Sequence, residues 1–302
     1  MPPPLFLSPE VADAVKQCQP IVALESTVIA HGLPRPHNLN LARRMEEIVR
    51  ECGATPATIA ILNGNIKVGL TADELNYLAN ADNVIKVSRR DFPIVAARQQ
   101  DGATTVAGTM IVAAWAGIKV FATGGIGGVH HGDGSDISAD LPELSRTSVA
   151  VVCAGAKSIL DLPATLEWLE TAGVPVIGYQ TDEFPAFYSR SSGLKLEACA
   201  NTVQEAAQMI KTKWEMGLEG GVLIANPIPE KESLDRKKID KAIAKALSAG
   251  KTKGVSIRGK AVTPFLLSEL GKATHGESLT ANIALLENNA KLAAMIAVEM
   301  NK

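Results

Sequence analysis

Residues 147–180 read TSVAVVCAGAKSILDLPATLEWLETAGVPVIGYQ. TSVAVVCAG is a continuous apolar run, the signature of a strand buried on both faces. Asp161 can cap the helix LPATLEWLETAG behind it, and VPVIGYQ is the following strand. Two strands joined through a helix can lie side by side and parallel.

The same rhythm extends in both directions. Upstream, PIVALES is a strand beginning at Pro20; Asn38 can cap a helix that Gly53 can stop. TIAILNG, NVIKVS and KVFATGG read as strands, and VAGTMIVAAWAG as a buried helix. Thr71 to Glu74 has the spacing of a capping box, as do Thr202 and Glu205 before VQEAAQMIKTKWEMG. Downstream, GGVLIANPIP is the last clear strand. Helices are expected over about Ser233–Ala249, after Thr263-Pro264, and over about Leu279–Met300. The expectation is an α/β fold with a largely parallel sheet between helical layers. A single domain is expected over 1–302, with residues 1–19 as an N-terminal extension and first helix. The stretch DEFPAFYSRSSG, Asp182–Gly193, is the candidate lid, because it is polar, aromatic-studded and aperiodic.

Composition narrows the function. The 302 residues are 46% hydrophobic and 21% charged, with net charge −2, an ordinary globular balance that gives no reason to expect nucleic acid or an anionic membrane as partner. No apolar run reaches the roughly 18–20 residues of a membrane span, and MPPPLFLSPEV lacks the marks of a secretory signal. A cytoplasmic location is expected, with an organelle such as the peroxisome left open. Cys18, Cys52, Cys153 and Cys199 are scattered without metal-finger spacing and read as reduced, mostly buried residues.

Six segments can carry chemistry. Glu25, in ALESTVIAHG, falls where a buried strand ends, the edge at which α/β sheets bind ligands. Burial raises a carboxyl pKa and suits acid–base work, although an ion pair or a cap explains such a residue equally. Lys86 sits inside a strand, ahead of Arg89, Arg90 and Asp91, as an anion clamp or as a solvated edge. ATGGIGGVHHGDGS is rich in glycine but matches neither phosphate-loop pattern; Thr123 and His130 bracket it. Asp136 and Asp140 offer hard oxygen ligands for Mg²⁺ or Mn²⁺, or a helix cap. Lys157 follows an apolar strand among small residues, where desolvation would favour a nucleophilic amine and an ion pair would make it structural. Asn282 lies in the first turn of the expected last helix, where free N–H groups favour phosphate and capping is the alternative.

Taken in order, ALESTVIAHGLPRPHNL, GGIGGVH, DISADL and AGAKSILD resemble the pseudouridine-5′-phosphate glycosidase family, also called indigoidine synthase A-like, from about Ala23 to the C-terminus. The resemblance implies a three-layer α/β/α sandwich, usually a homotrimer. It implies an enzyme of nucleotide metabolism that reversibly splits pseudouridine 5′-phosphate into uracil and ribose 5-phosphate. Such an enzyme breaks a carbon–carbon glycosidic bond, a hydrolase or lyase activity in pseudouridine catabolism. By the same resemblance Lys157 is the Schiff-base nucleophile and Glu25 the proton donor. Lys86 and Asn282 look like phosphate ligands, and the backbone of Val106 like a substrate contact. Asp136 matches a Mn²⁺ ligand; Ser138, Ala139 and Asp140 match a substrate-binding run. Thr123 and His130 match uracil-side or metal-side residues, and Asp140 is also a candidate acid for the uracil carbon. HGDGS, between two of the motifs, is shorter than the family pattern. No kinase segment is fused, so a separate pseudouridine kinase is expected to supply the substrate. The alternative is a related lyase or glycosidase acting on another C-linked ribose-phosphate compound.

Overall fold

The apolar run after Thr147 becomes a strand, Ala150–Cys153, with every residue buried. It lies parallel to Val120–Ala122 on one side and Val222–Ala225 on the other. These belong to an 11-stranded sheet. The computed structural model describes residues 3–132, 134–252 and 269–302. In chain order the strands are β1 (Leu5–Leu7), β2 (Ile21–Glu25), β3 (Thr55–Leu62), β4 (Asn65–Val68), β5 (Ile85–Val87), β6 (Gly102–Thr104), β7 (Val120–Ala122), β8 (Ala150–Cys153), β9 (Val176–Tyr179), β10 (Ala198–Ala200) and β11 (Val222–Ala225). The spatial order is β1-β4-β3-β2-β7-β8-β11-β9-β10, with β6 pairing β3 and β5 pairing β6. The pairs β3–β4 and β3–β6 are antiparallel and the others parallel.

Helices cover both faces, giving the expected three layers. The described ones are α1 (Pro9–Lys16), α2 (His37–Glu51), α3 (Ala72–Asn80), α4 (Phe92–Ala97), α5 (Val106–Trp115), α6 (Asp140–Leu144), α7 (Leu162–Thr171), α8 (Val203–Glu215), α9 (Arg236–Thr252) and α10 (Glu277–Met300). α10 packs on α2, α8 and the central strands β2, β7 and β8, while α5 packs on β2, β3 and β7 together with α6. The larger hydrophobic core runs from Val11 in α1 to Ala297 in α10, and a second, smaller cluster gathers Ile29, Leu62, Leu75 and Leu78. No helix among the described residues is long and apolar enough to cross a membrane.

Several local expectations hold. Thr71 and Glu74 form a reciprocal capping box. The Asp161 side chain accepts from the Ala164 N–H at 3.0 Å. Gly53 ends α2 at φ +84°. Others change. Asn38 lies inside α2, and its buried amide donates to the carbonyls of Ile29 and Ala79, both at 2.9 Å. Thr202 caps α8, but Glu205 reaches back to the Asn201 N–H rather than to Thr202. The N-terminal stretch carries the expected first helix, α1, and adds β1, which pairs with β4 at the sheet edge. Asp182–Gly193 is no exposed lid: Phe184, Phe187 and Tyr188 are buried, and the Phe187 N–H donates to the Ala154 carbonyl at 3.1 Å. Of the cysteines only Cys153 is buried; Cys18 is exposed and Cys52 and Cys199 are half-buried, all as free thiols. The short helix expected after Thr263-Pro264 lies outside the described residues.

Candidate active site

The parallel strands β2, β7 and β8 deliver their carboxyl ends to one place. Glu25 is the last residue of β2. Burial pushes its carboxyl above the ordinary range; Lys157 and the Thr123 hydroxyl oppose the rise, Asp140 adds to it, and Lys86 opposes it. The Thr123 hydroxyl donates a hydrogen bond to Glu25 Oε1. Lys157 stands four residues beyond β8, on a segment paired with the glycine loop: the Lys157 N–H donates to the Ile126 carbonyl, and the Ile126 N–H to the Gly155 carbonyl, both at 3.1 Å. This turn requires glycine, since Gly155 has φ +82° and a Cβ there would lie 2.3 Å from the Pro185 carbonyl oxygen.

Two adjoining chambers share Glu25, Thr27, Lys86 and Lys157 in their walls. The first is faced by Phe187, Tyr188, Leu286, Asn282 and His31. Phe187 and Tyr188 meet edge to face, with centroids 4.7 Å apart. The second is polar, faced by Ser88, Arg90, His130, Asp136 and Ser138–Asp140, and includes Val106, the first residue of α5. A helix start of this kind favours anions.

Asp140 shapes the second chamber. It is buried, and its two oxygens accept backbone N–H groups, Oδ1 from Ala107 at 2.9 Å and Oδ2 from Gly127 at 2.8 Å. One carboxylate thus ties the start of α5 and the glycine loop to α6. Gly127 permits this approach, since a Cβ there would meet Ser138 Oγ at 2.1 Å. α6 also carries buried Glu143, which receives Arg89 through bonds of 2.8 and 2.6 Å. Arg89 is therefore committed to Glu143, and Arg90 is the more exposed arginine at this edge.

Most residues expected from the sequence converge here. Glu25, Lys86, Lys157 and Asn282 border the first chamber, and Val106, His130, Asp136, Ser138, Ala139 and Asp140 the second. Three placements differ from expectation. Thr123 is fully buried and borders neither chamber, because its hydroxyl is directed to Glu25. Asn282 is not in a first helical turn, because α10 begins at Glu277; its side chain, not a free backbone N–H, is what it can offer. Asp140 has both oxygens occupied by backbone N–H donors, so its carboxylate is committed to holding the start of α5 and the glycine loop.

Sequence reasoning passed over His31, Phe187 and Tyr188. His31 lies on a π-helical turn, Val28–Gly32, a distortion frequent at functional sites. Burial, with Lys86 adding to it, lowers the His31 pKa against a hydrogen bond with the Val84 backbone, and its Nε2 is buried without a hydrogen-bond partner among the described residues. The available signal was its place six residues after Glu25 in one motif. Cys153 sits near the chemistry, but burial pushes its thiol up to about 12, which keeps it unreactive.

Among the described residues no group of three or more His, Cys, Asp or Glu side chains could enclose a metal ion. The exposed carboxylate of Asp136, held opposite His130 by a 3.0 Å backbone hydrogen bond, fits an open and largely hydrated site. A hard cation such as Mg²⁺ or Mn²⁺ accepts one carboxylate completed by water and a substrate phosphate.

The chain is similar to known proteins along nearly its whole length. A pseudouridine-5′-phosphate glycosidase of Caldanaerobacter subterraneus subsp. tengcongensis is 58% identical over 298 residues, 98% of this chain and 96% of that protein. One of Hahella chejuensis is 58% identical over 296 residues, 97% of each. The solved structure of an indigoidine synthase A (IdgA)-like protein from Thermotoga maritima superposes with a TM-score of 0.90 at 39% identity, covering 99% of this chain and 97% of that one. The prealnumycin C-glycosynthase AlnA, solved in complex with ribulose 5-phosphate, gives a TM-score of 0.91 at 39% identity, covering 100% and 98%. The model of the family described as indigoidine synthase A like protein matches residues 10–299, and the chain belongs to that family.

Proposed function

We propose that the protein is a pseudouridine-5′-phosphate glycosidase, reversibly converting pseudouridine 5′-phosphate and water to uracil and ribose 5-phosphate. The observation that carries the reading is the meeting of a buried acid, Glu25, and an amine, Lys157, on the wall between an aromatic-faced chamber and a polar, cationic one. A substrate with a flat base at one end and a phosphate at the other fits that division, with its reacting carbon at the junction. The base lies against Phe187 and Tyr188, within reach of Asn282. The phosphate lies with Lys86 and the start of α5 at Val106. This reading moves Asn282 from the phosphate to the base.

The scissile bond is carbon–carbon, so protonating a leaving oxygen or nitrogen is not available. In cleavage, Glu25 gives a proton to the ribose ring oxygen as the anomeric C–O bond breaks, and the Lys157 amine bonds to the anomeric carbon. The bonded nitrogen gives its extra proton to the Glu25 carboxylate, which regains the form of an acid and passes a proton to the uracil carbon of the glycosidic bond. The lysine nitrogen lone pair then forms a C=N bond, and the electrons of the breaking C–C bond return to the pyrimidine ring as uracil leaves. Water hydrolyses the iminium, releasing ribose 5-phosphate and the free amine. Mn²⁺ at Asp136, when bound, would offset phosphate charge and fix the substrate. The phosphate supplies binding energy remote from the reacting carbon, which orients it. A cytoplasmic homotrimer completes the proposal.

The test is uracil release from pseudouridine 5′-phosphate with Mn²⁺, wild type beside Lys157→Ala and a metal-free sample, with borohydride trapping of ribose 5-phosphate on the protein. Release and trapping that both need Lys157 are expected. Release that survives Lys157→Ala would end the Schiff-base assignment. The similarity to AlnA favours one second reading, a related enzyme on another C-linked ribose phosphate. A folded wild type that traps ribose 5-phosphate but releases no uracil would select it.

A further inference from the structure

Behind Glu25 runs a buried polar chain that the proposed reaction does not use. Asn226 follows β11, and its N–H continues the sheet by donating to the Cys153 carbonyl at 2.8 Å. Its side-chain Nδ2 donates to Asn289 Oδ1 at 2.9 Å. Asn289, on α10, is fully buried, and its Nδ2 donates to the Thr123 carbonyl at 2.8 Å and, more weakly, to the Gly124 carbonyl at 3.5 Å. Thr123 in turn gives its hydroxyl proton to Glu25 Oε1. The Thr123 N–H is held as well, by the Val152 carbonyl at 3.0 Å.

The direction of this chain follows from its end groups. Backbone carbonyls only accept, so Asn289 must turn its NH₂ toward Thr123 and Gly124. Its Oδ1 then faces Asn226, which must donate. Thr123 is locked on both sides of its backbone, and its side chain is buried. Among the described residues its hydroxyl has no acceptor other than Glu25. If a protonated Glu25 gave its own proton to Thr123 Oγ1, the threonine proton would be stranded in the interior, at the cost of an unmet donor.

We propose that Asn289, held by Asn226, is a positioning residue for Glu25: it fixes Thr123 so that Oε1 stays a hydrogen-bond acceptor and the transferable proton of Glu25 rides on Oε2. The inference rests on the reading of Glu25 as the proton donor. An acid that carries its proton on one defined oxygen needs no reorientation before transfer, which is the benefit of a preorganised site. The same chain sets how strongly a hydroxyl supports the carboxylate against burial, with Lys157, Lys86 and Asp140 as the charged groups around it.

The experiment compares Thr123→Val, Thr123→Ser, Asn289→Leu and Asn226→Ala. The Glu25 ionisation is followed by ¹³C NMR of carboxyl-labelled glutamate and identified by the signal missing in Glu25→Gln. Thr123→Val and Asn289→Leu are expected to move the ionisation to higher pH and to lower kcat about tenfold or more, with KM for uracil and for ribose 5-phosphate within about twofold. Thr123→Ser keeps the hydroxyl and should return both readouts toward wild type. Asn226→Ala should shift both less, and it carries the test if Asn289→Leu does not fold. A Glu25 ionisation that stays fixed in Thr123→Val and in the folded relay variant would overturn the proposal, whatever happens to kcat. If no uracil is formed by any form but the ionisation still follows Thr123 and Asn289, the positioning stands and the glycosidase reading fails.

Discussion

Replacing Asp140 by asparagine separates two roles that a carboxylate beside a substrate chamber can have. The side chain is buried and accepts two backbone N–H groups, at 2.9 Å from Ala107 and 2.8 Å from Gly127. Asparagine keeps one acceptor and turns an NH₂ against the other N–H. One buried donor then loses its partner, which costs about 1–3 kcal/mol, and Asp140→Ala, orphaning both, costs about 2–5 kcal/mol. For a chain of this size each kcal/mol is roughly 2 °C in Tm, so a fall of about 2–6 °C is expected for Asp140→Asn and more for Asp140→Ala. Differential scanning calorimetry checks this on protein free of substrate. Because the two N–H groups belong to the start of α5 and to the glycine loop, KM for ribose 5-phosphate should rise with the loss of stability. An Asp140→Asn protein with unchanged Tm and unchanged KM, but kcat reduced about a thousandfold, would refute this reasoning. It would restore Asp140 as the acid for the uracil carbon.

The pH dependence of Glu25 gives a prediction of opposite sign. Its folded-state pKa is raised, mainly by burial, so its contribution favours folding fully below the unfolded value and is lost as pH rises through the folded value. Glu25→Gln should therefore be inactive yet more stable than wild type at neutral pH, with the gap closing as pH falls below the ordinary glutamate range; Tm against pH reads it. Arg89→Ala leaves Glu143 buried with Thr147 as its remaining side-chain partner. Half exposure of Arg89 weakens the pair, so a cost of about 1–2 kcal/mol is expected in urea unfolding, with a raised KM for ribose 5-phosphate. Iodoacetamide should label exposed Cys18 first and leave activity intact, because a thiol at about 12 is ionised to only about one part in ten thousand at pH 8; rapid loss of activity with label on Cys153, read by peptide mass, would contradict it.

What could be read from the chain depended on how far apart the cooperating residues lie. Glu25 and Lys157 were legible because each follows an apolar run, and parallel strands present such positions to ligands. The hairpin β3–β4 carried a plain signal that a strand–helix reading ran past: Asn63 and Gly64, at φ +49° and +75°, sit between Leu62 and Asn65, which face each other across the turn. In Asp182–Gly193, polar and aperiodic composition suggested a lid, but Phe184, Phe187 and Tyr188 are buried anchors, and Phe187 and Tyr188 build the wall of the first chamber. Aromatics within an aperiodic stretch argue for docking as readily as for mobility, since each buries a large area.

Asn289 shows where the signal for a positioning residue lies. Alone it is one of two adjacent asparagines in a helix. Its phase is informative: Leu285, Asn289, Leu292 and Ile296 follow helical spacing, and all are buried. An amide on an apolar stripe must find partners there, because an unpaired buried amide is costly. Asn288, one step around the helix, reaches the Pro227 carbonyl at 3.2 Å instead. On the proposed reading the strand ends carry the groups that react, and the polar positions on the buried stripe of the covering helix carry what holds them. The two signals meet at Thr123, bonded to the acid by its side chain and to the helix by its carbonyl, which makes it the residue through which a change in α10 would reach the chemistry.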